Sequence, residues 1–170
     1  AGRPAAPQLD ELTHRDLARH RHLELRLRLP GALGEQRERA AVRERQRGER
    51  EVASMIRTLL GIEVKRRVRQ HEGDSDIEGI DGWVIEVKRR RQAARGDIRQ
   101  WWHQAEEQAR RAGSGLPVLF YRLDRHDWRC VWPLAAALGG NGWHGYEWTV
   151  EGTPDAWAAV ARSLMEVAHG

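Results

Sequence analysis

The chain has one cysteine, Cys130, so no intrachain disulfide can form and a small disulfide-stapled fold is excluded. It has no apolar run near the roughly 18 residues a membrane helix requires. Its longest apolar-rich stretch, Val131 to Leu138, is broken by Pro133. No apolar segment follows the N-terminus, and the first 47 residues carry too many acids for a transit peptide. The expectation is a soluble cytoplasmic protein with no membrane partner. Lysine is scarce too: 27 arginines stand against Lys65 and Lys88. Arginine replaces a surface lysine easily but not a lysine that does chemistry, so both lysines call for inspection.

What is present is uneven along the chain. Residues 1–47 hold 11 arginines against seven acids, so the whole formal charge of +4 sits there. That segment has no aromatic residue, whereas all eight tryptophans lie beyond Gly48. Residues 1–45 therefore read as an Arg-rich polar arm, disordered in part and helical from about Gly34. Residues 46–170 read as the folded domain. His14, His20 and His22 cluster in the arm without nearby ligands of metal-site spacing, so no metal is assigned to them.

Within the domain, Val52, Met55, Ile56, Leu59 and Leu60 follow helical spacing up to Gly61. Residues 62–68 read as a strand, 70–75 as a loop, and 76–78 with 83–89 as a hairpin. A helix is expected over 95–112, with Ile98, Trp102, Ala105 and Ala109 on its apolar stripe. Strands follow at 117–122 and 128–132, then an edge strand over 143–150. Thr153 and Pro154 open a last helix. Trp101 and Trp102 read as core rather than as base-stacking platforms.

The stretch from Gly73 to Lys88, GDSDIEGIDGWVIEVK, carries the chemistry. Side chains alternate along a strand, so Val84, Glu86 and Lys88 share one face and Trp83, Ile85 and Val87 the other. A central strand seldom carries charges unless they are paired or functional. A three-residue loop, Ile80-Asp81-Gly82, pairs Ile77 with Ile85 in the core and sets Asp76 beside Glu86 and Lys88 on the opposite face. Two facing carboxylates repel unless a positive charge lies between them. A divalent cation with oxygen ligands is the usual solution. A lysine beside it can orient a water for phosphodiester hydrolysis.

Asp76-Ile-Glu-Gly followed by Ile85-Glu-Val-Lys88, after a helix bearing Gly48-Glu-Arg-Glu51, resembles the PD-(D/E)XK nuclease superfamily. The spacing is most similar to its Holliday-junction-resolvase and phage resolvase-like branches, and the resemblance covers about residues 45–135. Ser75 stands where the family motif has its leading proline. The resemblance implies an α/β, restriction-endonuclease-like mixed sheet flanked by helices (α-β-β-β-α-β-β-α) behind an N-terminal arm. It implies a Mg²⁺-dependent endonuclease acting on DNA, with Mn²⁺ as a substitute. Asp76, Glu86 and the Val87 carbonyl would hold metal, Lys88 would position the water, and Glu49, with Glu51 as its rival, would complete the site. Gln104 either lines it, as a helix glutamine does in some branches, or is a plain helix-surface residue. A resolvase needs two sites, and hence a homodimer.

Three further readings complete the expectation. Ile62-Glu-Val-Lys-Arg-Arg67 repeats Ile85-Glu-Val-Lys-Arg-Arg90, but no strand acid precedes the first copy, so Glu63 and Lys65 read as solvated charges. Asp74 and Glu78 share parity with Asp76 and so stand as rim candidates, but they read as a loop charge and a strand-end charge. Arg89, Arg90, Arg91, Arg95 and Arg99 follow the strand and are expected to contact DNA phosphates. A degenerate, non-catalytic DNA-binding module and a restriction or repair nuclease are the alternatives.

Overall fold

A computed structural model describes residues 14–66 and 76–169; for 14–32, 168 and 169 it describes the backbone alone. The chain divides between Val42 and Arg43 into two units. The first is helical from His14, twenty residues before the expected start. The reason is composition: Leu, Arg, Glu and Ala are strong helix formers, and over a long window their preferences add. The Arg-Leu alternation at 25–29 hides this, because it shows no 3.6-residue period. Over residues 33–42 every side chain is exposed, and Arg39 with Glu35 forms one of the i,i+4 pairs that support such a helix. The histidines of the arm lie outside the described side chains.

The second unit is a six-stranded mixed sheet with helices on both faces. In chain order its elements are the end of α1 (His14–Leu60), β1 (Lys65–Arg66), β2 (Ile77–Glu78), β3 (Trp83–Arg90), α2 (Arg95–Ala112), β4 (Leu116–Leu123), β5 (Arg129–Pro133), α3 (Leu134–Ala137), a 3-10 turn (Tyr146–Trp148), β6 (Thr149–Gly152) and α4 (Pro154–His169). The strands lie side by side in chain order. Only β3 and β4 are parallel, because only that pair is joined by a crossover helix, α2.

Two expectations change here. The segment 143–150 is not one strand: a 3-10 turn fills most of it and the edge strand is β6. The predicted order also lacks α3, this turn and the sixth strand. The first strand begins at Lys65 rather than Ile62, and residues 67–75 lie outside the described ones. No described helix is long and apolar enough to cross a membrane.

Alternation along β3 divides the interior. Trp83, Ile85 and Val87 join Val52, Ala53 and Ile56 of α1 and Trp157, Ala158 and Ala161 of α4 in one core. On the other face, Trp101, Trp102 and Ala105 of α2 pack on Leu119, Tyr121 and Val131. Local signals bound the helices as anticipated. Gly113 (φ 72°) closes α2, and the Thr153 hydroxyl accepts from the Ala156 amide at the start of α4.

Candidate active site

The β2–β3 hairpin pairs Ile77 with Ile85, and the Trp83 amide closes its turn on the Ile80 carbonyl. Gly82 takes φ 80°, a left-handed conformation that glycine adopts without strain. The ladder stops at Ile77. The Asp76 amide reaches back to the Ile85 carbonyl at 2.9 Å, so Asp76 is not in the regular pair with Glu86 that alternation predicts. Its carboxylate instead accepts from the Val87 amide at 2.8 Å. A strand end leaves main-chain donors without ladder partners, and a short acid there takes one up.

Asp76 and Glu86 are each 1% exposed. Burying two carboxylates is costly unless their charge is met. Glu86 is met from both sides. Lys88 Nζ pairs with its Oε1, and Gln108 Nε2 on α2 donates to its Oε2. Lys88 is 16% exposed. In the repeated motif, by contrast, Glu63 and Lys65 are both exposed.

Gln108 on α2 bonds the strand carboxylate. Gln104 lies one turn earlier on α2 and is half-buried. No local pattern distinguishes two glutamines four residues apart on one helix.

Glu49 is buried, as a site residue would be, but arginines hold it. Arg66 Nη1 donates to its Oε2 at 3.2 Å, and Arg45 lies 3.5 Å from Oε1. Glu51 faces Arg47, Arg89 and Arg122. Among the described residues no three His, Cys, Asp or Glu side chains gather around one metal position, so neither helix glutamate joins Asp76 and Glu86 in a single donor set. Glu78 is exposed on β2, and Asp74 lies outside the described residues.

The arginines after the strand split by parity. Arg89 points with Val87 towards α1; it is 14% exposed and faces Glu51 at 3.8 Å. The close approach of Gly48, where a Cβ would lie 3.3 Å from Arg89 Cβ, seats it there. Arg90, Arg91, Arg95 and Arg99 are exposed. Trp101 and Trp102 are buried in the core beneath α2. A cavity of about 700 Å³ lies at the opposite end of β3, lined by Asp81, Trp83, Gly115 and Trp143 among others. None of the residues assigned to the chemistry lines it.

Residues 44–143, more than half of the chain, match the family described as phage putative PDDEXK endonuclease. The chain belongs to this family. No curated protein matches it. The matched span runs from the end of α1 through β5 and α3 and contains the hairpin, the buried carboxylates, Lys88 and Gln108. It places the chain at a coarse level among nucleases of the PD-(D/E)XK superfamily, whose members typically depend on divalent metal. The 3-10 turn, β6 and α4 lie beyond it.

The donor chemistry fits such a metal. Asp76, Glu86 and main-chain carbonyls are hard oxygen donors, of the kind Mg²⁺ and Mn²⁺ take, and no thiol lies among them.

Proposed function

We propose that this protein is a Mg²⁺-dependent endonuclease that hydrolyses DNA phosphodiester bonds, with branched DNA as its leading substrate class. The observation that carries the reading is the Glu86 carboxylate, buried on a strand and shared between Lys88 and Gln108, together with a buried Asp76 carboxylate that accepts from the Val87 main-chain amide. A purely structural strand would not bury this set of charges.

Asp76, Glu86 and the Val87 carbonyl are the proposed metal ligands. A divalent cation bound there would stabilise charge on the phosphoryl oxygens and lower the pKa of a bound water. Lys88 is the proposed water-positioning group, because its ammonium pairs with the Glu86 carboxylate. Gln108 holds the Glu86 carboxylate in one orientation. Exposed Arg90, Arg91, Arg95 and Arg99 supply phosphate contacts around the site. Glu49 enters this reading only if Arg66 releases it, and two carboxylates suffice without it. In-line attack of water would leave a 5′-phosphate, as is general among these nucleases.

The test is a cleavage gel with labelled four-way junction, flap and blunt duplex in Mg²⁺, in Mn²⁺ and in EDTA. Metal-dependent cutting, preferring a branched substrate and lost in Lys88→Ala, supports the reading. Tight DNA binding without cleavage in any metal would make the protein a binding module. Cutting of plain duplex at defined sequences would make it a restriction-like enzyme.

A further inference from the structure

We infer that the 3-10 turn Tyr146–Trp148 presents Trp148 as a stacking platform for an unpaired DNA base. The inference rests on the DNA reading above and adds a substrate feature to it: a single-stranded end or a splayed junction arm.

The first observation is exposure. Six of the eight tryptophans are buried and Trp143 is half-buried, but Trp148 is 60% exposed. Leaving a large aromatic ring in water forgoes much of the stabilisation its burial would bring. The second is rigidity. The Trp148 amide bonds the Gly145 carbonyl at 2.9 Å, and the Thr149 hydroxyl donates to the Tyr146 carbonyl at 2.7 Å. Tyr146 packs against the core under α2. His144 lies T-shaped against the indole, 6.2 Å between ring centroids. An aromatic on a fixed support loses little entropy on binding.

The third observation is charge. Arg99 on the first turns of α2 bonds Glu147 at 2.8 Å and stands 5.7 Å over the Tyr146 ring. It ties the turn to the helix whose exposed arginines are the proposed phosphate contacts. Arg95, one turn earlier, is exposed and has no ion-pair partner among the described residues. Aromatic faces beside guanidinium groups are what binds single-stranded nucleic acid without regard to sequence: bases stack and phosphates are neutralised. The groove behind the indole, about 360 Å³ and lined by Leu134, Leu138 and Trp143 among others, gives an apolar wall to the same surface. The turn also lies on the sheet face of α2, the face that carries Glu86.

The test is a titration of the full chain in EDTA, where cleavage does not intervene. The probes are a fluorescent blunt duplex and the same duplex with a single-stranded thymidine tail. The tail should tighten binding by the wild type. Trp148→Ala should remove that gain, a loss of roughly 5- to 150-fold per stacked base, and leave the blunt duplex unchanged. Trp148→Phe should keep most of the gain, and thermal unfolding should not shift. A tail that makes no difference, or equal loss on both probes, overturns the platform while the DNA reading stands. A dimer in sedimentation that Trp148→Ala dissolves would instead make the patch a protein interface and overturns it as well. Binding to neither probe overturns the platform together with the DNA reading.

Discussion

Gln108 on α2 donates its side-chain amide to Glu86 on β3, joining a helix to a strand across twenty-two residues of sequence. The bond occupies one oxygen of the carboxylate while Lys88 holds the other. A group that orients a metal ligand typically affects metal affinity or turnover by 10- to 100-fold. Gln108→Leu should weaken Mn²⁺ binding in calorimetry by about that factor and lower cleavage to match. Gln108→Glu should do worse, because it sets a third carboxylate against Glu86.

The two lysines should differ sharply. Lys88→Ala is expected to abolish cleavage, a loss on the order of 10²–10⁴-fold for a proton-handling or water-orienting group. Lys65→Ala, exposed on β1, should stay within a few-fold. Lys88→Arg should lose most activity, since a guanidinium is a wider group and a poor proton acceptor. A dead Lys65→Ala enzyme would show that the wrong copy of the motif carries the chemistry.

Asp76→Asn should lose metal affinity and retain the fold. The asparagine oxygen can still accept from the Val87 amide. Removing a buried negative charge also eases repulsion with Glu86, so melting in EDTA should be unchanged or higher. Calorimetry with Mn²⁺ and a thermal scan in EDTA report the two effects separately.

Glu106 gives a pH prediction. It is buried on α2, and burial pushes its carboxyl above the usual range while the Arg110 guanidinium pulls the other way. A raised carboxyl holds its proton more tightly folded than unfolded. Its contribution to stability is therefore complete below the unfolded pKa and is lost as pH rises through the folded one. At neutral pH the charge is a burden, and Glu106→Gln should raise the melting temperature. The advantage should shrink as pH falls into the ordinary carboxylate range, and vanish below it.

The hairpin supplies a stability contrast between two glycines of positive φ. At Gly79 (φ 102°) a Cβ would lie 2.8 Å from the Glu63 carbonyl oxygen, a main-chain atom that cannot rotate away. Gly79→Ala should cost about 1–3 kcal/mol or more in urea unfolding. At Gly82 (φ 80°) the space is open. Gly82→Asn should be nearly neutral there, whereas Gly82→Val should destabilise, because a β-branched residue tolerates that backbone poorly.

Local pattern alone determined much of this protein. Alternation from Trp83 to Lys88 is a property of the strand, so it already separates the residues that pack on α1 and α4 from those that face α2. The Ile77–Ile85 pairing follows as well, since a slip of one residue would turn every isoleucine to the polar face. Helix stops at Gly61 and Gly113 and the Thr153-Pro154 start are likewise written in single residues. The arm's long helix was hidden, because its residue preferences favour helix while its apolar spacing does not.

Tertiary structure decided the rest, because those features are meetings between distant segments. Gln108 meets Glu86 across twenty-two residues. Arg89 is turned from solvent by the close seat of Gly48 and by Glu51. Glu49 is tied to Arg66 across seventeen residues, and Asp76 leaves the ladder to take the Val87 amide. Trp148 is exposed because the 3-10 turn and its arginine anchor hold it out, although nothing around it in the chain marks it apart from the seven other tryptophans. Composition and period describe one element at a time. Which side chains meet between elements is settled only when the layers pack.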